Sequence, residues 1–247
     1  AARSSPAPSS SARWASTRFE GKILAMIHGK PMVQHVWERA RESKILNDLF
    51  IACDEDRIAV AATQFGAKTI MTSREHASGT DRIIEAVQSI DGDIIVNIQG
   101  DEPLIRPEVI DMLAQALGNN PSCSMATVIK KLTTKKEFKD PNVVKVVING
   151  EMNALYFSRA PIPHDRDHND EAVYYKHLGI YAYRRDFLLS YKSLPKSNLE
   201  KTEKLEQLRA LEFGYKIKTV VTEVDTIGVD TPEDLARVEK ILSKGAV

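Results

Sequence analysis

Two adjacent carboxylates, Asp101 and Glu102, stand where an apolar stretch of the chain ends in a turn. The preceding residues 94–98 (IIVNI) predict a strand that is buried on both faces. In an open α/β sheet, ligands collect beyond the carboxyl ends of such strands. A carboxylate on a fixed turn is a ligand that Mg²⁺ takes together with phosphate oxygens and water. Asp101 is therefore a candidate metal ligand, although a solvated turn explains the same residues.

Three cations, Arg13, Arg18 and Lys22, lie around the small residues Ser16, Thr17 and Gly21. Backbone N–H groups can approach a polyphosphate where side chains are small, and the cations would offset its charge. The stretch is not a Walker loop, because isoleucine follows Lys22, and the chain has no GxGxxG fingerprint of a dinucleotide site. The pattern indicates phosphate binding, with a basic surface turn as the alternative.

Two further polar turns precede predicted helices. In SGTDR, Ser78 suits a helix N-cap, whereas Arg82 could contribute polar contacts to a nucleobase. In GVDTPEDL, Asp230 stands beside a helix that Thr231 caps, where a negative charge is stabilising in its own right. A more demanding interpretation makes Asp230 a second metal ligand that meets Asp101 from across the sheet.

A third group of polar residues lies in the less regular second half of the chain. Arg159, His177 and Tyr181 fall there, and cations near one pocket would suit an acidic substrate. Glu203 and Gln207 lie on a predicted helix, where the ordinary interpretation is a solvated face opposite its leucines.

Apolar spacing predicts the elements that position these residues. Helices are predicted at 31–43, 56–65, 80–90 and 200–213 and after Thr231, and strands at 49–53, 67–71, 94–98 and 217–221. This alternation predicts an α/β fold with a doubly wound, mostly parallel sheet. Between them, the strands predicted at 125–130, 143–148, 154–157 and 178–183 have little helix between them. They indicate a smaller antiparallel lobe, interrupted by a long loop at 161–176.

Composition narrows the class of protein. The chain has 247 residues with 34 basic and 34 acidic side chains, so no charge excess argues for a nucleic-acid partner. Cys53 and Cys123 match no metal spacing, which favours a reduced cytoplasmic compartment, and no apolar run is long enough for a membrane span. Residues 1–11 (AARSSPAPSSS) read as a flexible leader, and residues 12–247 as one domain with an inserted lobe at about 125–183.

A set of short motifs, taken together in chain order, resembles one enzyme family. They are ASTRFEGK, HGKPMVQHV, SGTDR, VNIQGDEP, NVVKVV, ALYFSRAPIP, HLGIYAY, LEQLR and GVDTPEDL. Each motif alone is weak, but the ordered set, from about Ala12 to about Leu242, is similar to the 3-deoxy-manno-octulosonate cytidylyltransferases. That resemblance implies a nucleotide-diphospho-sugar transferase-like fold and Mg²⁺-dependent transfer of CMP from CTP to an acidic eight-carbon sugar. Pyrophosphate would be released, and the product would feed lipopolysaccharide biosynthesis.

The resemblance also implies roles for individual residues. Arg13 and Lys22 would hold the triphosphate, supported by Ser16 and Arg18, with Lys22 stabilising charge at the α-phosphate. Asp101 and Asp230 would bind Mg²⁺. Residues that would help to read cytosine or ribose are Ser78, Arg82 and Gln99. Residues that would surround the sugar acid are Arg159, His177, Tyr181, Glu203 and Gln207. A homodimer with its contact in the 125–183 lobe is expected as well.

One departure from the family and two alternative functions accompany this interpretation. The family has an apolar strand and an Ile-Pro-Ala-Arg turn directly before ASTR, where this chain has PAPSSSAR. Two prolines and several serines are poor residues for a central strand, so residues 1–11 are either a leader or a wrongly assigned first strand. The alternatives are a cytidylyltransferase for an 8-amino octulosonate or sialic-type acid, and a nucleotide-sugar binding protein without turnover.

Overall fold

The structure, a computed structural model, describes residues 6–11, 21–76, 78–167 and 172–244, and of residues 6–11 only the backbone. In chain order the strands are β1 (Pro6–Ser11), β2 (Met26–Ile27), β3 (Lys30–Pro31), β4 (Phe50–Cys53), β5 (Lys68–Met71), β6 (Ile94–Gln99), β7 (Met125–Lys131), β8 (Lys145–Ile148), β9 (Ala154–Ser158), β10 (Tyr175–Arg184) and β11 (Ile217–Val221). The helices are α1 (Met32–Ala40), α2 (Asp56–Gln64), α3 (Gly79–Val87), α4 (Pro107–Asn119), α5 (Lys135–Lys139), α6 (Arg185–Tyr191), α7 (Asn198–Glu203), α8 (Gln207–Glu212) and α9 (Pro232–Ser243). The chain divides into two compact units, Ala1–Ala114 with Thr226–Val247, and Gln115–Asp225.

Parallel strands form the centre of the first unit, in the order β6, β1, β4, β5. Each of the helices α2 and α3 has an apolar face, and α3 buries Ile83, Ile84 and Val87. All of the apolar residues of β6 are buried, as their unbroken run predicts. The predicted βαβ alternation from the first helix to the strand at 94–98 is thereby confirmed. Because these strands are parallel, the turns after β4, β5 and β6 lie at the same edge of the sheet.

The tract predicted as a leader contains a strand. Residues Pro6–Ser11 form β1, which pairs in parallel with β6 along its whole length and with β4. Of the two interpretations, a leader or a first strand, these six residues form the strand. Proline cannot donate to a ladder, yet the pairing with β4 involves only Ser9, Ser10 and Ser11. Both prolines thus lie where β1 pairs with β6 alone. Their missing N–H groups can therefore remove hydrogen bonds from only one of the two strand pairings.

Antiparallel pairing dominates the second unit. Strand β10 lies between β7 and β8, β8 also pairs with β9, and these pairs are all antiparallel, whereas β11 and β7 are parallel. The strand pairing of the chain is therefore mixed rather than mostly parallel, which corrects the predicted fold class. The reason is local: β8 and β9 follow one another through a turn, and strands joined by a turn without a crossover helix run antiparallel.

One predicted helix in the second half of the chain has the wrong bounds. The helix predicted at 200–213 is two helices, α7 and α8, because Lys204 adopts a left-handed conformation with φ 56° and ends the first. Within the described part of the chain, no helix has the length and apolar character that a bilayer crossing requires.

Candidate active site

Lys22 lies at the centre of a polar cluster in the first unit. Gly21, in a left-handed conformation with φ 68°, precedes the short 3-10 helix Lys22–Leu24 and so turns the chain sharply at this point. The Lys22 ammonium donates to Asp101 Oδ2 at 2.5 Å, to Asp230 Oδ1 at 2.9 Å and to the carbonyl of Val229 at 2.9 Å. All three N–H donors of the ammonium are thereby used.

Backbone contacts bring the two carboxylates to this point. Asp101 lies in the turn after β6, and its carbonyl accepts a 2.9 Å hydrogen bond from the N–H of Val229, so the two loops are tied together next to the carboxylates. The N–H of Asp230 donates to Asp234, which also forms a capping box with Thr231 at the start of α9. The predicted N-cap at Thr231 is confirmed. Asp101 and Asp230 thus converge on one ammonium although they are 129 residues apart in the chain.

The electrostatics of the cluster keep Lys22 charged. Burial by itself would lower the pKa of Lys22, but the neighbouring Asp101 and Asp230 carboxylates outweigh it, and the net pKa is raised. The lysine side chain is 11% exposed, whereas the Asp101 and Asp230 side chains are 26% and 48% exposed. The carboxylates therefore face solvent on the side away from the buried lysine, where a ligand can approach.

The donor set of this cluster fits a hard divalent cation. Two carboxylates meet within hydrogen-bond distance of one point, and Mg²⁺ is usually held by one or two carboxylates with substrate phosphate oxygens and water. Among the described residues, no group of three or more His, Cys, Asp or Glu side chains is arranged to hold a metal ion. A cation at this position would therefore depend on a phosphate-bearing substrate to complete its coordination.

Glu102, the neighbour of Asp101, is separated from this cluster. Its side chain is buried, and Oε2 has no hydrogen-bond partner among the described residues. Burial, and next the charge of Asp101, raise the pKa of Glu102 to about 8. Glu102 is thus mostly protonated at neutral pH, so of these two neighbouring residues only Asp101 contributes a carboxylate charge to the site.

The residues predicted to read the nucleoside have partners within the protein. Ser78 caps α3, because its hydroxyl accepts from the N–H of Asp81 at 3.1 Å. Arg82 is 2% exposed and donates to Asp54 and to Thr72, each at 2.6 Å. Gln99 is the last residue of β6. Arg82 therefore braces the loops after β4 and β5, Ser78 caps α3, and direct contact of either with a base stays a prediction. Arg13, Ser16 and Arg18 lie outside the described residues.

In the second unit, Glu203 holds Arg159. The Glu203 carboxylate accepts from the hydroxyl of Ser158 at 2.6 Å and from the N–H of Arg159 at 2.9 Å. The Arg159 Nε donates to the Glu203 carbonyl at 2.9 Å, and Nη1 donates to the Pro141 carbonyl at 3.1 Å. Glu203 therefore orients a cation, a role that its position on a predicted helix did not indicate.

A β-bulge brings His177 and Tyr181 together. The register of β10 against β7 shifts between Leu178 and Tyr181, and the His177 and Tyr181 rings lie 5.3 Å apart. Four residues of regular strand would separate them by about 13 Å. The Thr127 hydroxyl lies 2.9 Å from His177 Nε2 and 2.8 Å from the Ile180 carbonyl. Since the carbonyl can only accept, Thr127 donates to it, and His177 donates to Thr127.

Burial makes these two rings neutral hydrogen-bonding groups. It lowers the pKa of His177 to about 3 and raises the pKa of Tyr181 well above its usual value. Neither ring is therefore suited to carry charge at neutral pH.

Gln207 carries an unused donor in the same unit. Its side chain is 5% exposed, and its Nε2 has no partner among the described residues. An unsatisfied buried donor costs about 1–3 kcal/mol, so this amide N–H is available to an acceptor from water or from a ligand. The ordinary interpretation, a solvated helix face, is wrong for Gln207.

Two residues that hold the predicted site residues in place were not predicted from the sequence. Asp54, the partner of Arg82, stands directly after β4 in the acidic run DED, and a carboxylate at a strand end was its only signal. Lys145 is a charged residue inside the apolar run VVKVV, a conflict with strand burial that marks a buried contact.

Comparison with known proteins shows the family to which the chain belongs. Residues 11–217 match the sequence profile of a family described as Cytidylyltransferase. The chain therefore belongs to the cytidylyltransferase family, and within it to the 3-deoxy-manno-octulosonate cytidylyltransferases, as the following relatives show. It is 52% identical to the 3-deoxy-manno-octulosonate cytidylyltransferase of Solibacter usitatus over 230 residues, which cover 93% of this chain and 91% of that protein. It is also 52% identical to the one of Syntrophus aciditrophicus over 233 residues, covering 93% and 94%.

A solved structure gives the same result for the fold. The structure of CMP:2-keto-3-deoxy-manno-octonic acid synthetase complexed with CTP superposes with a TM-score of 0.94 at 43% identity. The match covers 98% of this chain and all of that one. The family recognised from the ordered motifs is thereby confirmed, and so is its α/β architecture.

Proposed function

We propose that the chain transfers CMP from CTP to the anomeric hydroxyl of 3-deoxy-manno-octulosonate. The sugar oxygen forms a bond to the α-phosphorus of CTP while the bond between that phosphorus and the bridging oxygen breaks. Pyrophosphate leaves, and the hydroxyl proton passes to solvent. The high identity to relatives that carry this activity in their names supports the choice of substrates.

The observation that carries the proposal is the single ammonium of Lys22 between Asp101 and Asp230. Phosphoryl-type transfer leaves little covalent chemistry to the protein, so positioning and neutralisation of charge supply most of the rate. Asp101 and Asp230 would hold Mg²⁺, and Lys22, no longer paired with both carboxylates, would offer its positive charge to the phosphates. When bound, Mg²⁺ offsets phosphate charge and favours ionisation of the sugar hydroxyl. No nucleophilic serine or cysteine is needed.

The second unit supplies the groups proposed for the sugar acid. Arg159 would pair with the carboxylate of the sugar, and the guanidinium is held from one side by Glu203 and Pro141. His177 and Tyr181 would present neutral rings to the sugar hydroxyls. Gln207 would donate its unpartnered amide hydrogen.

A pyrophosphate-release assay tests the proposal. Release should require both CTP and the octulosonate, with UTP, ATP and GTP turning over poorly. Asp101→Ala should lose at least about two orders of magnitude in rate, as loss of a charge-stabilising group typically does. Asp48→Ala is the matched control, because Asp48 forms its ion pair with the exposed Lys68 and not with Lys22.

Three results would contradict the proposal. Full turnover by Asp101→Ala would exclude the metal role of that residue. Preference for an 8-amino octulosonate or a sialic-type acid in competition would identify another acidic sugar as the substrate. Calorimetric binding of CTP without any release of pyrophosphate would indicate a binding protein.

A further inference from the structure

Lys145, on β8, is a completely buried ammonium whose partners are all backbone carbonyls. It is 0% exposed. Its Nζ donates to the carbonyls of Asp140 at 2.8 Å, Val143 at 2.5 Å and Arg159 at 2.6 Å. Among the described residues, no carboxylate forms an ion pair with it. All three donors are satisfied, so the charge is stabilised by three converging carbonyl dipoles.

A buried lysine on a strand carries a large desolvation penalty. Removing an ammonium from water costs several kcal/mol even after relaxation, and an apolar side chain would fill the same position on β8 without that cost. Burial lowers the pKa of Lys145, in agreement with this penalty. The contacts with Asp140 and Val143 close the end of α5 and the loop after it. The contact with Arg159 joins that loop to the end of β9.

The contacts of Lys145 hold Arg159 in two ways. Its carbonyl accepts directly from Lys145. Its Nη1 donates to the carbonyl of Pro141, which lies between the two other carbonyls that Lys145 binds, Asp140 and Val143. Lys145 therefore fixes both the backbone of Arg159 and the loop carbonyl that orients its guanidinium. Glu203 also holds Arg159, because its carboxylate accepts from the backbone N–H and its carbonyl accepts from Nε.

We propose that Lys145 is a positioning residue that fixes the Arg159 guanidinium for the carboxylate of the sugar acid. This inference rests on the proposed function. A cation whose backbone and loop partner are fixed before substrate arrives loses less conformational freedom on binding. Removal of the Lys145 ammonium should therefore weaken binding of the sugar acid and leave CTP binding unchanged.

The experiment is steady-state kinetics of Lys145→Met, which keeps the approximate length of the side chain and removes its charge and donors. Displacement of a binding group by about 1 Å can cost up to about 100-fold, so the KM for the octulosonate should rise by about 10-fold to 100-fold. The KM for CTP should not change. Lys139→Met is the matched control, since Lys139 is an exposed lysine at the end of α5, and it should behave as the unmodified enzyme.

A double-mutant cycle with Arg159→Ala separates positioning from general damage. If Lys145 acts through Arg159, Lys145→Met should have little further effect on the octulosonate KM when Arg159 is already alanine. Additive effects, or equal rises in the KM values of both substrates, would overturn the inference. Lys145→Gln, which retains two N–H donors, should lie between Lys145→Met and the unmodified enzyme.

The remaining outcomes of the experiment concern the folding of the Lys145 variants and the activity of the unmodified enzyme. If neither Lys145→Met nor Lys145→Gln folds, the ammonium is a structural requirement of this unit, and the positioning role is rejected. If the unmodified enzyme does not respond to the octulosonate at all, the proposed function fails first. If it responds and Arg159→Ala raises the octulosonate KM, a normal KM in Lys145→Met would reject only the role of Lys145.

Discussion

Replacement of Lys22 by methionine should separate cation binding from turnover. Lys22 has an ammonium that neutralises the two carboxylates proposed to hold Mg²⁺, so its removal leaves Asp101 and Asp230 without their shared counter-charge. The two carboxylates then repel each other, and a divalent cation relieves that repulsion. Lys22→Met should therefore bind a divalent cation more tightly than the unmodified protein in the absence of nucleotide, while it loses catalysis.

The contacts of Lys22 set the size of this effect. A hydrogen bond between charged groups contributes about 1.5–3 kcal/mol in a protein. Here two such bonds of 2.5 and 2.9 Å join Lys22 to carboxylates that are 26% and 48% exposed, so solvent screening reduces each one. A net change of about 1–3 kcal/mol corresponds to about 5-fold to 150-fold tighter binding. Turnover should fall by at least about two orders of magnitude, because the charge at the phosphates is lost.

Isothermal titration calorimetry with Mg²⁺ or Mn²⁺ on nucleotide-free protein at fixed ionic strength measures the affinity. Pyrophosphate release measures turnover on the same preparation. Lys30→Met is the control, because Lys30 forms an exposed pair with Glu38 away from the site. Unchanged or weaker cation binding in Lys22→Met would refute the reasoning, since it would show that the divalent cation does not bind to the two carboxylates that Lys22 neutralises.

Other substitutions should change stability or substrate affinity in predictable directions. Arg82→Met leaves the buried Asp54 without its cation, which should cost about 3–5 kcal/mol and lower the Tm by roughly 6–20 °C in thermal unfolding. His177 has a pKa lowered to about 3 from 6.5 by burial. The stability from neutral His177 is complete above about pH 6.5 and is lost as the pH falls from there toward 3, so His177→Asn should weaken the pH dependence of urea unfolding in this range. Gln207→Met removes an unsatisfied buried donor, so stability should be kept while the octulosonate KM rises by about 10-fold.

Each of these predictions has a control or a contrary result. Lys30→Met breaks an exposed pair and should change stability by no more than about 1 kcal/mol, so a similar loss in both variants would contradict the role of burial at Arg82. An unaltered pH dependence in His177→Asn would show that this ring titrates normally in the folded protein. A large loss of stability in Gln207→Met would show that its amide has a partner in the protein.

The local sequence pattern predicted an element correctly where a single capping contact or a regular apolar spacing determines that element. The unbroken apolar run at 94–98 predicted a strand buried on both faces, and Asp101 follows it in a turn as expected. Thr231 with Pro232 predicted the start of the last helix, because capping involves only residues close in the chain. Gly66 ended the predicted second helix for the same reason, with φ 83° at its end.

The sequence predicted less well those features that depend on residues far away in the chain. The tract PAPSSS looks unsuited to a strand, yet β4 and β6 supply parallel partners on both sides of it. Arg82 looked available for a base until Asp54, 28 residues earlier, was found beside it. The bulge that brings His177 to Tyr181 had one local signal, Gly179 within the strand, but its direction depends on the register against β7.

By itself, the sequence determined the alternation of helices and strands, the helix caps and, through its ordered motifs, the family. These follow from backbone preferences and apolar periods, which act over a few residues. Only the tertiary structure decided that Asp101 and Asp230 share one lysine, that Glu102 is withdrawn into the core, and that Lys145 holds Arg159. The physical reason is that ion pairs, burial and carbonyl contacts depend on distances between groups that folding alone brings together.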